Sequence, residues 1–313
     1  MEAHRQSGRE TGPVRLEQLL KTTARRLAIP YETVLKDYAI GHLLSAIAGE
    51  PSVADSLVMK GGTALKKLYF GDYRFSEDLD FSAERGPRGT ALEGALRAVA
   101  SRAQETLSGN GPFGVVVDRM IHREPHPHAQ ESFAFRVQYP WQRRPLCLVK
   151  LEVTVDEPIL LPTPARPIIH GYGEELTGAV RAYSLEEIVA EKLRALLQNE
   201  ARRGERGWVR PRCRDLYDLW RILGDPPAAL DDAAIRRILP AKCAVRDVRF
   251  GSAADFFPAA LVETVSTGWD ADLAPLVLGL PPANLVIEDL RREVGVLLRE
   301  PWTEGPSRGH LGR

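Results

Sequence analysis

Cysteine is scarce in this chain. The three present, Cys147, Cys213 and Cys243, are odd in number and form no Cys-x-x-Cys pair. They give no disulfide framework and point to a reducing, cytoplasmic setting, with the thiols in or near the core. An excess of one charge is also missing: 42 basic residues balance 42 acidic ones. No global field advertises a polyanion partner, so any nucleic-acid binding must rest on a local patch. Long apolar runs are absent as well; the nearest to the ~20 residues a membrane helix needs is 273–287, which carries three prolines. The first fifteen residues are polar and lack the apolar stretch of a secretory signal. No membrane association is expected. Gly-x-Ser-x-Gly, the Walker A pattern and Gly-x-Gly-x-x-Gly do not occur, which leaves serine-hydrolase, P-loop and Rossmann readings without support.

A length of 313 residues suggests two domains with ample material for a core. Helical periodicity covers 16–27 and 31–47, with Pro30 at a helix start, and again 91–107. Strand signals follow at 114–121, 132–139 and 146–155. A Pro-rich segment, 160–167, reads as a linker or stiff turn. Beyond it helices dominate, at 184–198, 213–223, 231–239 and 284–298. The expected division is a mixed domain over 14–180 and a helical one over 181–313. The Gly-, Ser- and Arg-rich ends are expected to fray.

One stretch carries chemistry. From Lys60 the chain reads Lys-Gly-Gly-Thr-Ala-Leu-Lys-Lys-Leu-Tyr-Phe-Gly-Asp-Tyr-Arg-Phe-Ser-Glu-Asp-Leu-Asp-Phe. On a strand, Asp78 and Asp80 project from one face while Leu79 and Phe81 face the core. Two neighbouring carboxylates repel as bare charges and are normally neutralised by a shared proton or a divalent metal. The Gly61-Gly62-Thr63 turn offers backbone N–H groups that suit phosphate. Metal-binding acids beside a phosphate-binding turn are the apparatus of nucleotidyl transfer.

These residues resemble the Gly-Gly…Asp-x-Asp signature of DNA polymerase β-like nucleotidyltransferases. More narrowly, the stretch, with Ala-Glu-Lys-Leu-Arg-Ala-Leu at 190–196 and Arg-Asp-Leu-Tyr-Asp-Leu at 214–219, resembles the AbiEii/AbiGii toxins of type IV toxin–antitoxin and phage-defence systems. The resemblance spans roughly residues 58 to 220. It implies an α/β, bilobed architecture: a polymerase β-like lobe with a small mixed sheet, and a mainly helical C-terminal lobe. It implies Mg²⁺ or Mn²⁺ as cofactor and an NTP as substrate. It also implies a cognate antitoxin protein as partner and a tRNA 3′ end as acceptor. A third acid on a later strand belongs to the same picture. On the strand ending near 155, Lys150, Glu152, Thr154 and Asp156 share the polar face; Glu152 is the expected ligand and Asp156 its rival. Gly61, Gly62, Thr63 and Ser76 would cradle the triphosphate.

Two further residues come from the later segments. Lys192 falls in the apolar stripe of its helix, in register with Ile188 and Leu196, where a solubilising lysine does not belong. Either its stem lies along the core or its ammonium meets nucleotide phosphate. Asp215 opens the next helix, where an acid serves the helix dipole; its place in Arg-Asp-Leu-Tyr-Asp implies that it positions Lys192 or acts on the acceptor hydroxyl. Asp218 reads as structural, paired with Arg214 or Arg221. The run Arg202, Arg203, Arg206, Arg210, Arg212 and Arg214, with Trp208 inside it, suits RNA phosphates and an unpaired base at the cleft mouth. Lys66, Lys67 and Arg74 are read as extending it. His126 and His128, on a Pro-rich loop without nearby acids, make a weak metal motif. Transfer to a protein side chain or to a small molecule such as an aminoglycoside is the alternative reading.

Overall fold

A computed structural model describes residues 12–120, 130–155 and 157–298. His126, His128 and Asp156 lie outside them. The chain divides into two compact units, one of Met1–Ser184 with Leu273–Leu280 and one of Leu185–Asp272 with Pro281–Arg313.

In the first unit, helix α1 (Pro13–Leu27) starts on its proline and ends at Ala28 in the left-handed conformation. Helix α2 (Tyr31–Ala48) is apolar nearly all round and buried accordingly, enclosing Asp37, Tyr38 and His42. After the short α3 (Pro51–Ala54) comes strand β1 (Leu57–Lys60), which leads straight into α4 (Gly61–Ala64) and a π-helical turn over Leu65–Tyr69. The glycine pair thus forms a helix's first turn rather than a separate loop. Strand β2 (Asp78–Ala83), helix α5 (Thr90–Leu107), and strands β3 (Gly114–Arg119), β4 (Gln130–Gln138) and β5 (Cys147–Thr154) follow. They build a five-stranded sheet in the order β1-β2-β5-β4-β3. Only the β2–β5 contact in it is parallel.

Strands β3, β4 and β5 lie where the alternating residues place them. The Pro-rich segment is not merely a linker. It carries β6 (Ala165–Pro167), paired antiparallel with β7 (Ala179–Arg181). The correction has a plain cause: a three-residue ribbon is too short to show periodicity. All three cysteines are free and buried, as their small apolar character suggests.

The described elements of the second unit are helices: α6 (Leu185–Ala201), the short α7 (Arg203–Arg206), α8 (Cys213–Gly224), α9 (Asp232–Ala244), α10 (Ala259–Leu273) and α11 (Ala283–Leu297). Asp231 caps α9 by accepting from the Ala234 N–H at 2.9 Å. Buried Lys242 of α9 meets Glu187 at 2.7 Å and Glu191 at 3.3 Å, which ties α9 to α6. No helix among the described residues is long and apolar enough to cross a membrane.

Candidate active site

The acids come together through strand register. Along β2, Asp78 and Asp80 are half-buried while Leu79 and Phe81 are fully buried, so the two carboxylates share a face. Along β5, Cys147, Val149, Leu151 and Val153 are buried and Glu152 lies on the other side. The parallel pairing then sets Asp80 beside Glu152 and Asp78 beside Lys150. Lys60, ending β1, is Asp80's neighbour on the opposite flank.

The glycine turn is built against these acids. Gly61 has φ +74°, and a Cβ there would stand 2.6 Å from Asp80 Oδ2. A side chain at 61 would therefore meet both a strained backbone and the carboxylate. Thr63 is fully buried and its hydroxyl donates to the Asp78 carbonyl oxygen. Its side chain fixes the turn to β2, which leaves its backbone N–H, with those of Gly61 and Gly62, in the first helical turn where no intrahelical acceptor exists. Ser76 is half-buried on the segment entering β2.

Burial, partly offset by Lys150, holds the Asp78 carboxyl above its ordinary value, and Glu152 and Glu77 add repulsion. A carboxylate raised in this way costs stability once it ionises. The penalty is absent below the unfolded-state value and complete above the folded-state one. Asp78→Asn is therefore expected to melt higher than the wild type at pH 7 in EDTA, with the gap closing as the pH falls through the carboxylate range. A gap that widens on acidification would show Asp78 stabilised by its neighbours instead.

The donor chemistry fits a hard divalent cation, since carboxylate oxygens are what Mg²⁺ and Mn²⁺ prefer. Asp78, buried and with Glu152 and Glu77 nearby, is a carboxylate whose charge a cation would stabilise. The strand acids share a face without forming a closed cluster. Among the described residues the grouping of His, Cys, Asp and Glu ligand atoms within 4.8 Å of one another lies elsewhere, at His42, His170 and Glu174. Drawing three carboxylates together takes a cation.

In the second unit, Lys192 is nearly buried and its ammonium stands 2.8 Å from Asp215 Oδ1 and 2.6 Å from Asp218 Oδ2. Arg212 reaches the other Asp215 oxygen at 3.2 Å. Asp218 is fully buried, and its contact with Lys192 is one the sequence did not suggest. In α8 it stands one turn on from Asp215, which turns both carboxylates to one side. That spacing was the available signal.

The arginine segment joins α6 to α8. Arg203, Arg210 and Arg214 are exposed, Arg202 and Arg212 half-buried, and Trp208 is 54% exposed. Lys67 and Arg74 do not extend it as a surface patch. Lys67 is buried against Asp37 at 2.7 Å, and buried Arg74 donates to the Phe75 carbonyl. A basic residue in an apolar run carries no local mark of whether its partner is water or a buried acid.

Comparison with known proteins adds three findings. The family described as nucleotidyl transferase AbiEii toxin, Type IV TA system, matches residues 42–295. Among solved structures the chain is similar to MenT4, a nucleotidyltransferase toxin from Mycobacterium tuberculosis H37Rv. The TM-score is 0.57 at 22% identity, over 91% of this chain and 90% of that one. A weaker likeness, TM-score 0.34 at 16% identity over 70% and 97%, is to an antigenic nucleotidyltransferase-like protein from Paracoccidioides brasiliensis. No curated protein matches by sequence.

Proposed function

The chain belongs to the AbiEii family of nucleotidyltransferase toxins of type IV toxin–antitoxin systems, and from that premise we propose that it moves a nucleotide from an NTP to an RNA hydroxyl, the tRNA 3′ end foremost, using Mg²⁺ or Mn²⁺ held by Asp78, Asp80 and Glu152. The observation that carries the reading is the register seating Asp80 beside Glu152, with the Gly61 turn against Asp80. Bound there, the ion would supply Lewis acidity to the attacking hydroxyl and the leaving pyrophosphate. The backbone N–H groups of Gly61, Gly62 and Thr63, with Ser76, hold the triphosphate. Asp78 and Asp80, fixed on a strand, keep the donor oxygens in place before the substrate arrives. In the second unit, Lys192, itself held by Asp218, and Arg212 lock the Asp215 carboxylate. Lys192 serves nucleotide phosphate, and Asp215 the acceptor hydroxyl. A cognate antitoxin protein is the proposed partner, and the cytoplasm the proposed compartment.

Incubation of the protein with total tRNA, Mg²⁺ and each labelled NTP in turn tests the acceptor. Label at the tRNA 3′ end is the expected result. Label on a protein side chain, or on an aminoglycoside supplied in its place, would put the alternative acceptors ahead.

The arginine segment gives a second test. Phosphate contacts release counterions, so tRNA affinity is expected to fall with salt at a log–log slope of about −0.7 per contact for single strands. Replacing Arg203, Arg210 and Arg214 by serine is expected to flatten that slope by about 2. NTP binding, which the Gly61 turn provides, is expected to be unchanged. A salt-independent affinity, or an equal loss for NTP, would remove the segment from RNA binding.

A further inference from the structure

Helix α2 and the loop after β6 bring together two histidines and a glutamate that the nucleotidyl-transfer site does not use. His42 is 2% exposed. His170 and Glu174 sit four residues apart around the turn at 171–173, where Gly173 has φ +83°. One ligand atom from each of the three lies within 4.8 Å of the other two. The His42 and His170 rings meet edge to face with centroids 5.3 Å apart.

The site is built for close approach. A Cβ at Gly41 would collide with the His170 ring at Nδ1, with Cε1 only 2.9 Å away. Gly41 stands inside a regular helix, where a glycine costs roughly 0.5–1 kcal/mol against alanine. Its presence lets the imidazole lie against the α2 backbone. Tyr38 donates to Glu174 Oε1 at 2.6 Å and Asn110 reaches the same oxygen at 3.3 Å. That leaves Oε2 turned toward His42 Nε2, at 3.3 Å. A carboxylate held through one oxygen and offered through the other is the arrangement that outer-shell partners give a metal ligand.

What the cluster lacks is a well-aligned hydrogen bond to its ring nitrogens. Both ring nitrogens of His42 and both of His170 are buried without a hydrogen bond; the approach of His42 Nε2 to Glu174 falls outside hydrogen-bond alignment. A buried polar group left so costs about 1–3 kcal/mol, a cost that a bound ion would remove.

We propose that His42, His170 and Glu174 form a second metal site, separate from the strand acids, for a borderline transition-metal ion such as Zn²⁺ that clips the 168–178 loop onto α2. Two imidazoles and one carboxylate are a three-ligand zinc set, with water as the fourth ligand. The nitrogen donors select against Mg²⁺, the ion suited to the all-oxygen strand site.

The test uses the full chain without a histidine tag, with Zn²⁺ and the spectroscopic stand-in Co²⁺ as probes. The wild type is expected to take up one equivalent of Co²⁺ with the visible absorption of nitrogen-ligated four-coordinate cobalt, and to melt higher with Zn²⁺ than in EDTA. His170→Ala and Glu174→Gln are expected to lose more than about 100-fold in affinity, beyond what outer-shell replacements cost. Their melting points in EDTA report whether they are folded, and neither is expected to respond to Zn²⁺. The Asp78→Asn, Asp80→Asn double variant is expected to bind Co²⁺ like the wild type. No uptake by the wild type, uptake untouched in both His170→Ala and Glu174→Gln, or loss in the strand-acid variant would each overturn the proposal.

Discussion

Asp80→Asn is expected to reduce nucleotidyl transfer by roughly 10²–10⁴-fold while leaving the melting temperature at or above that of the wild type. The magnitude follows from the several kcal/mol that a bound metal contributes to transition-state charge, at about 1.36 kcal/mol per tenfold. Asp80 is the residue on which the site converges: Glu152 beside it on β5, Lys60 beside it on β1, and Gly61 folded against its carboxylate. Asparagine keeps the shape that Gly61 packs on and removes the charge. Stability is expected to hold because the substitution also removes a like charge from a face shared with Asp78 and Glu152. Labelled NTP transfer and a thermal melt on the same preparation check both halves. Near-wild-type turnover with Mg²⁺ would sink the assignment of Asp80 as a metal ligand.

Lys192→Met is expected to be costly in a different way. From the helix pattern alone, an unbranched apolar replacement of a lysine looks harmless to stability. The structure reverses that expectation, because the ammonium stands 2.6 Å from the carboxylate of fully buried Asp218. Removing one partner of a buried pair costs about 3–5 kcal/mol. At ~2–4 °C per kcal/mol for a chain of this size, the melting temperature is expected to drop by roughly 10 °C. Lost activity in this variant alone would therefore say nothing about phosphate. The double variant Lys192→Met, Asp218→Leu removes both charges, and such replacements are often close to neutral. It is expected to recover most of the stability and to remain inactive. A stable double variant with full transfer would return Lys192 to a structural role, and a Lys192→Met variant that melts like the wild type would show the pair to be dispensable.

The sequence by itself determined what depends on local geometry. The period of two along a strand put Asp78 and Asp80 on one face and Glu152 opposite Cys147, Val149 and Leu151, and the structure has them so. The stripe of α6 marked Lys192 as out of place for a surface lysine, and it is nearly buried. The three ordered motifs also sufficed for the family. Tertiary structure decided every pairing between residues distant in sequence. The parallel β2–β5 register sets Glu152 beside Asp80, and no local pattern encodes which residue of a strand faces which of another. Lys67 looked like surface charge until α2 supplied Asp37, and the lysine partner of Asp218 became visible only when α6 supplied Lys192. His42 and His170 carry no motif between them. A helix and a distant loop make them neighbours, because the free energy of burying α2 and the ring cluster around Tyr38 is collected only when the chain closes on itself.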